Sequence, residues 1–177
     1  MSYFSGENLI VRLREVLEDA RGTLRTISAN TFEGQFPPGL EVGEEARRAF
    51  GNPRAEATVS SVARSAASPP VIGNIALYDI GVDVRVAYPL TSAAWVVDAV
   101  RDSAVGAAYK AADVVAQALT YPGNLTTTQA GAATGVVSGM LAFVKSDIRS
   151  TGSDQTGGIV EAMLRFKGVV QSAPAVS

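Results

Sequence analysis

The chain has 177 residues, of which 47% are hydrophobic, a net charge of −2 and a mean hydropathy of +0.18, and it contains neither histidine nor cysteine. That length suits one hydrophobic core rather than two, and the missing imidazole and thiol remove the commonest general base, metal ligands and soft nucleophile. Carboxylate, hydroxyl or lysine chemistry remains, or a function carried by surfaces; nine acidic and eight basic residues up to Arg64, then eight and seven, leave neither half resembling a nucleic-acid arm.

The start, Met1-Ser2-Tyr3-Phe4, lacks the basic-then-apolar pattern of a signal peptide, so the protein is expected to be made and used in the cytoplasm. From Leu9 to Arg21, Leu9, Ile10, Leu13, Val16, Leu17 and Ala20 recur at helical spacing with charges on the other face. Gly22 can end this amphipathic helix, and Thr23-Leu24-Arg25-Thr26-Ile27 alternates as a short strand would. Residues 28–52 carry Pro37-Pro38-Gly39, several glycines and isolated phenylalanines, which predicts a long projecting loop. Within that loop, Gly43 to Phe50 suits a short helix with acids first and bases last, as the helix dipole favours.

Arg54 to Ala63 predicts a strand with Ala55, Ala57 and Val59 on one side, followed by a small-residue linker from Ser65 to Pro70. Ile80, Val82, Val84, Val86 and Tyr88 then alternate with Asp79, Gly81, Asp83, Arg85 and Ala87, the clearest period of two in the chain. The opposite parity of Ile75 and Leu77 predicts a bulge or twist near Tyr78-Asp79. Pro89 is expected to close the strand, Thr91 or Ser92 to cap a helix, and Ala93 to Leu119 to run as one long helix with Trp95 in its first turn as a packing anchor. Its predicted buried stripe is Val96, Ala99, Val100, Ser103, Ala107, Ala111, Val114, Val115 and Ala118.

The 31 residues from Val114 to Val144 carry no charge, yet Tyr121-Pro122-Gly123-Asn124 and the threonines after it make a membrane span untenable. Thr134 to Arg149 and Gly158 to Gln171 are predicted to form a long hairpin with a flexible tip from Ser150 to Gly157. Val160, Ala162, Leu164, Phe166 and Val170 line one face of its second strand, with Glu161, Arg165 and Lys167 on the other. A charge placed at Phe166 is expected to abolish folding. Residues 172–177 are expected to be a loose tail. The expected fold is a single α+β domain over residues 1–177, an antiparallel or mixed sheet with two helices on one face and a long β-hairpin near the C-terminus.

No constellation points to catalysis. Asp79 and Asp83 share a strand face but stand about 13 Å apart by the strand rise, beyond the roughly 5–9.5 Å of a glycosidase pair. Asp83 with Arg85, or with a charge on an adjacent strand, fits a solvated cross-strand pair contributing up to about 1 kcal/mol. Lys110 lacks a pattern for Schiff-base chemistry, the spacing of Gly131, Gly135 and Gly139 is a weak packing signal, and no phosphate-binding loop, dinucleotide fingerprint, calcium loop or nucleophile elbow occurs. Glu44-Glu45 beside Arg47-Arg48 offers a mixed-sign surface suited to docking or to plain solvation.

The order of these elements resembles that of tail terminator proteins of long-tailed bacteriophages. The strings that carry the resemblance are the Leu9 to Arg21 helix with Gly22-Thr23-Leu24-Arg25-Thr26-Ile27, the excursion with Glu44-Glu45-Ala46-Arg47-Arg48-Ala49-Phe50, and the strand Ile80 to Val86. The Ala93 to Leu119 helix and the closing Met163-Leu164-Arg165-Phe166-Lys167-Gly168-Val169-Val170 complete the set. The likeness is one of architecture and texture, with no diagnostic motif. It implies a non-enzymatic structural virion protein of the tail or neck, assembled in the host cytoplasm. Six copies would form a ring capping the tail tube and meeting the head-tail connector, without cofactor, metal or membrane, with DNA passing through the lumen without sequence-specific binding. Under that resemblance, Glu33, Glu41, Glu44, Glu45, Arg47 and Arg48 are candidates for a docking or lumen surface, and Asp79, Asp83, Arg85, Arg165 and Lys167 for strand-face or inter-subunit contacts. Mild acidity suits a conduit in which DNA slides, because basic linings bind phosphate strongly. The alternatives are another neck, connector or tail-completion protein, and a small soluble hydrolase or ligand-binding α+β domain.

Overall fold

The computed structural model describes residues 6–23, 41–42, 53–66, 76–121 and 136–173. Helix α1 (Gly6–Asp19) is followed by strands β1 (Glu41–Val42), β2 (Arg54–Arg64) and β3 (Ala76–Leu90), helices α2 (Ser92–Trp95) and α3 (Asp98–Thr120), and strands β4 (Val136–Ser153) and β5 (Gly157–Ala173). The sheet order is β1-β2-β3-β5-β4. Its four long strands are antiparallel, and β1 joins β2 in parallel through Glu41↔Arg54 and Val42↔Ala55. The fold is α+β with a mixed sheet.

Both main helices lie on one face of the sheet, α1 over β2 and α3 over β5, β4 and β3, and they touch each other. Leu9, Leu13, Val16 and Leu17 of α1 are buried, as their spacing predicts. They meet the alternating Val82, Val84, Val86 and Tyr88 of β3 and Val160, Ala162, Leu164 and Phe166 of β5, all at 0–1% exposure. On α3 the buried stripe is Val100, Ala104, Ala107, Ala108, Ala111, Ala112, Val115 and Leu119, and its five alanines let the helix backbone approach the strands closely.

Several boundaries differ from the sequence-based expectation. The first helix ends at Asp19 and residues 21–23 add one further helical turn, so Thr23 is helical rather than extended; residues 24–27 lie outside the described residues. The predicted single helix from Ala93 is two. Thr91 accepts a hydrogen bond from the Ala94 N–H at 3.3 Å and caps α2, the chain turns through Val96 and an extended Val97, and α3 begins at Asp98. Val96, Ala99 and Ser103 are exposed, whereas Val100, Ala107, Ala111 and Val115 are buried as expected and the stripe widens to Ala104, Ala108, Ala112 and Leu119.

Pro89 does not close β3, which runs on to Leu90. Because β2 stops at Arg54, opposite Ala87, Pro89 falls where β3 has only β5 beside it among the described residues, an edge position of the kind in which strands tolerate proline. The register is unbroken between β3 and β5 around Tyr78 and Asp79; the irregularity lies in β2, between Val59 and Ser61. The bulge sits against Gly81, where a Cβ would stand 2.5 Å from the Ser61 Oγ, so a side chain at position 81 would require the serine hydroxyls to turn away.

The hairpin is longer and tighter than expected. Its strands reach Ser153 and Gly157, and only Asp154, Gln155 and Thr156 form the turn. Gly157 takes φ +77°, the left-handed conformation that ends a three-residue hairpin loop, and the Ser153 and Thr156 hydroxyls lie 2.7 Å apart. β5 extends to Ala173, two residues into the expected tail.

Candidate functional site

Directly opposed residues of neighbouring strands share a sheet face, so the register shows what covers the side away from the helices. Arg54, Glu56 and Thr58 of β2 stand beside Ala87, Arg85 and Asp83 of β3; these stand beside Glu161, Met163 and Arg165 of β5, and those beside Arg149, Asp147 and Lys145 of β4. With Asp79 and Lys167 farther along, the face carries six basic and five acidic side chains in alternation. No described element covers it.

Two ion pairs cross neighbouring strands and a third lies within β4. Arg165 Nε donates to Asp83 Oδ1 at 3.1 Å, Arg85 Nε donates to Glu161 Oε2 at 2.5 Å, and Lys145 Nζ donates to Asp147 Oδ2 at 2.7 Å. The Lys145 hydrogen bond holds the Asp147 carboxyl below the usual carboxylate range, with Arg149 and Arg165 acting in the same direction. Partial burial, helped by the neighbouring Arg85, lowers the pKa of the Arg54 guanidinium, while Glu56 and Glu161 act against that shift. Pairs this exposed contribute about 0–1 kcal/mol each to folding, so the array adds little to stability.

Toward the other end of this face the surface turns apolar. Met140 of β4 faces Val169 of β5, the two being 59% and 47% exposed, and Ala142 stands beside Lys167. The edge β4 also exposes Phe143 and Val144 at its own bulge, although the Phe143 ring still meets Phe166 edge-on at 5.7 Å between centroids.

Of the candidates taken from the sequence, Asp83, Arg85, Arg165 and Lys167 fall on this one face, and Asp83 takes the neighbouring-strand partner rather than Arg85. Asp79 lies on the same face between Ala63 and Val169, far from Asp83 along the strand, and no carboxylate dyad forms. Glu41 sits in β1 with its backbone in register with Arg54, so the 28–52 segment is tied to the sheet at that point rather than projecting throughout. Glu33, Glu44, Glu45, Arg47 and Arg48 lie outside the described residues. Lys145, Asp147, Arg149 and Glu56 join the array without having been singled out in the sequence. Their signal was present as alternating charges two apart in Lys145, Asp147 and Arg149, obscured by the uncharged run that precedes them.

Among the described residues, no group of three or more acidic residues could hold a metal ion, and no helix is long and apolar enough to cross a membrane. Against known proteins, no family model matches the chain, and no curated protein matches it either.

Proposed function

We propose that the chain is a structural subunit of a long-tailed bacteriophage, a tail terminator that forms a homohexameric ring, caps the tail tube and joins it to the head-tail connector. The observation that supports this reading is the sheet face that no described element covers, broad, almost neutral and carrying three ion pairs. Such a surface is soluble in the free chain and still offers charges of both signs to a docking partner, which sets register and orientation more than raw affinity. The order of elements supports the same reading, with an amphipathic helix first, a long helix packed on the sheet and a closing long hairpin. The partners would be other copies of the chain, the tube protein and the connector, with DNA crossing the lumen; no cofactor is required.

Light scattering over a concentration series, followed by binding to isolated tail tubes, tests the proposal. The expected species is near 110 kDa, about six times the 18.3 kDa chain, or a smaller species that assembles only on tubes. A chain that stays monomeric and does not bind tubes overturns it. Binding to the connector alone would instead assign the chain to another position in the neck.

A further inference from the structure

The sheet ends at β4, and no described strand lies along its outer edge. This edge is interrupted once, by the bulge between Phe143 and Lys145, and closes at the 154–156 turn. Between these points residues 145–153 form a regular run with Lys145, Asp147 and Arg149 on the open face. An exposed regular edge is a template for another strand, and natural edges are usually shortened, bulged or charged against it. Here the charges alternate in sign along the strand, so they repel a copy in some registers and attract it in others.

We propose that a second copy of this chain pairs with this edge, β4 against β4, antiparallel about a two-fold axis at Ile148. The register follows by elimination. A two-fold axis at Asp147 places the two Asp147 carboxylates opposite each other, and one at Arg149 does the same with two guanidiniums; like charges directly opposed are destabilising. An axis at Ser146 reaches the bulge after one residue on each side. An axis at Ser150 brings no ion pair. The axis at Ile148 runs free of the bulge over residues 145–151 and sets Asp147 of each copy against Arg149 of the other, twice by symmetry. It keeps helix face with helix face, so the half-buried Ile148 meets its copy on the side of the core. It also continues the existing charge pattern across the boundary, because Arg149 already stands beside Glu161, which accepts from Arg85.

The pairing uses the sheet's edge and does not rest on the ring reading. The chain has no native cysteine, so a single introduced thiol reports the register cleanly. Under mild oxidation Ile148→Cys should form a covalent dimer at least tenfold faster than Ser150→Cys, whose copies would be offset by about 13 Å along the strands, beyond disulfide reach. Where the free chain has not closed into a ring, light scattering of the unmodified chain should detect a species near 37 kDa, twice 18.3 kDa. Asp147→Arg alone and Arg149→Asp alone should each weaken this dimer at least tenfold, and the two together should restore it, since the swap preserves the opposed pairs. Equal cross-linking at both positions, or a double variant no better than the singles, overturns the proposal. A 110 kDa ring in which Ile148→Cys gives no cross-link overturns the pairing and leaves the ring intact.

Discussion

Tyr88 is fully buried in the middle of the core, at 0% exposure, and desolvation raises its hydroxyl pKa well above the ordinary tyrosine value of about 10. The neutral form is therefore favoured in the folded chain more than in the unfolded one. Its contribution is fully present below pH 10 and is lost as pH rises past that point, because the unfolded tyrosine ionises first. The loss is about 1.4 kcal/mol per pH unit until the folded value is reached. Tyr88→Phe removes that step, so its urea midpoint should fall less steeply than wild type between pH 9 and pH 11; parallel slopes for the two proteins would show that Tyr88 does not govern the alkaline limb. Phe166, fully buried on the neighbouring strand, carries the complementary expectation that Phe166→Asp abolishes folding, since an unpaired carboxylate would stand within the layer between sheet and helices.

The hairpin and the short helix α2 form one unit through Trp95. This is the chain's single tryptophan, and its ring lies so close over Gly158 that a Cβ there would meet ring carbons at 2.4 Å and the Thr151 carbonyl oxygen at 2.7 Å. Arg101 also meets Trp95, with its guanidinium 5.6 Å from the ring centroid and one N–H donating to the Trp95 carbonyl at 2.5 Å. Gly158→Ala should therefore displace the indole and destabilise the protein by about 1–3 kcal/mol, the usual cost of overpacking. Indole fluorescence and thermal unfolding would both register it, and an unchanged emission maximum with an unchanged midpoint would refute the contact. This contact also marks what the sequence can and cannot reveal. The alternation from Ile80 to Tyr88 and from Val160 to Phe166 made the buried faces legible, because burial of one side of a strand is a local property. The break at Val96-Val97 is not legible, since no glycine or proline marks it, and the adjoining Trp95 packs over glycines more than fifty residues away. The bulge lies in a different strand from the one the sequence suggests for a similar reason: the parity change is visible in β3, but the extra residue belongs to β2, opposite Gly81, and that pairing is not visible in either strand alone. The charged face was half legible. Asp83, Arg85 and Arg165 stood out one strand at a time, while the lattice they form with Lys145, Asp147 and Arg149 required the strand order.

At the scale of the molecule, the sheet has an apolar face that carries stability and a charged face that, under the proposed function, would carry recognition. Apolar side chains between helices and strands hold the fold together, and burial of such surface, at roughly 25 cal/mol per Å², is not weakened by moderate salt. The outer face is made of exposed ion pairs, whose attraction fades once the screening length drops from about 14 Å near 0.05 M salt toward 4 Å near 0.5 M. Added salt should thus move the thermal midpoint by no more than a few degrees, yet weaken tail-tube docking or ring formation at least tenfold if the charged surfaces carry recognition. Single charge reversals should divide in the same way. Glu44→Arg and Arg47→Glu, in the segment expected to dock, should leave folding intact and weaken assembly, and Arg165→Glu should cost about 1 kcal/mol or less in stability while altering the array beside Asp83. Circular dichroism melts and tube co-sedimentation, run on the same samples, separate the two effects. Docking that survives high salt would assign recognition instead to the exposed apolar group around Met140 and Val169, whose association strengthens rather than fades as salt is added.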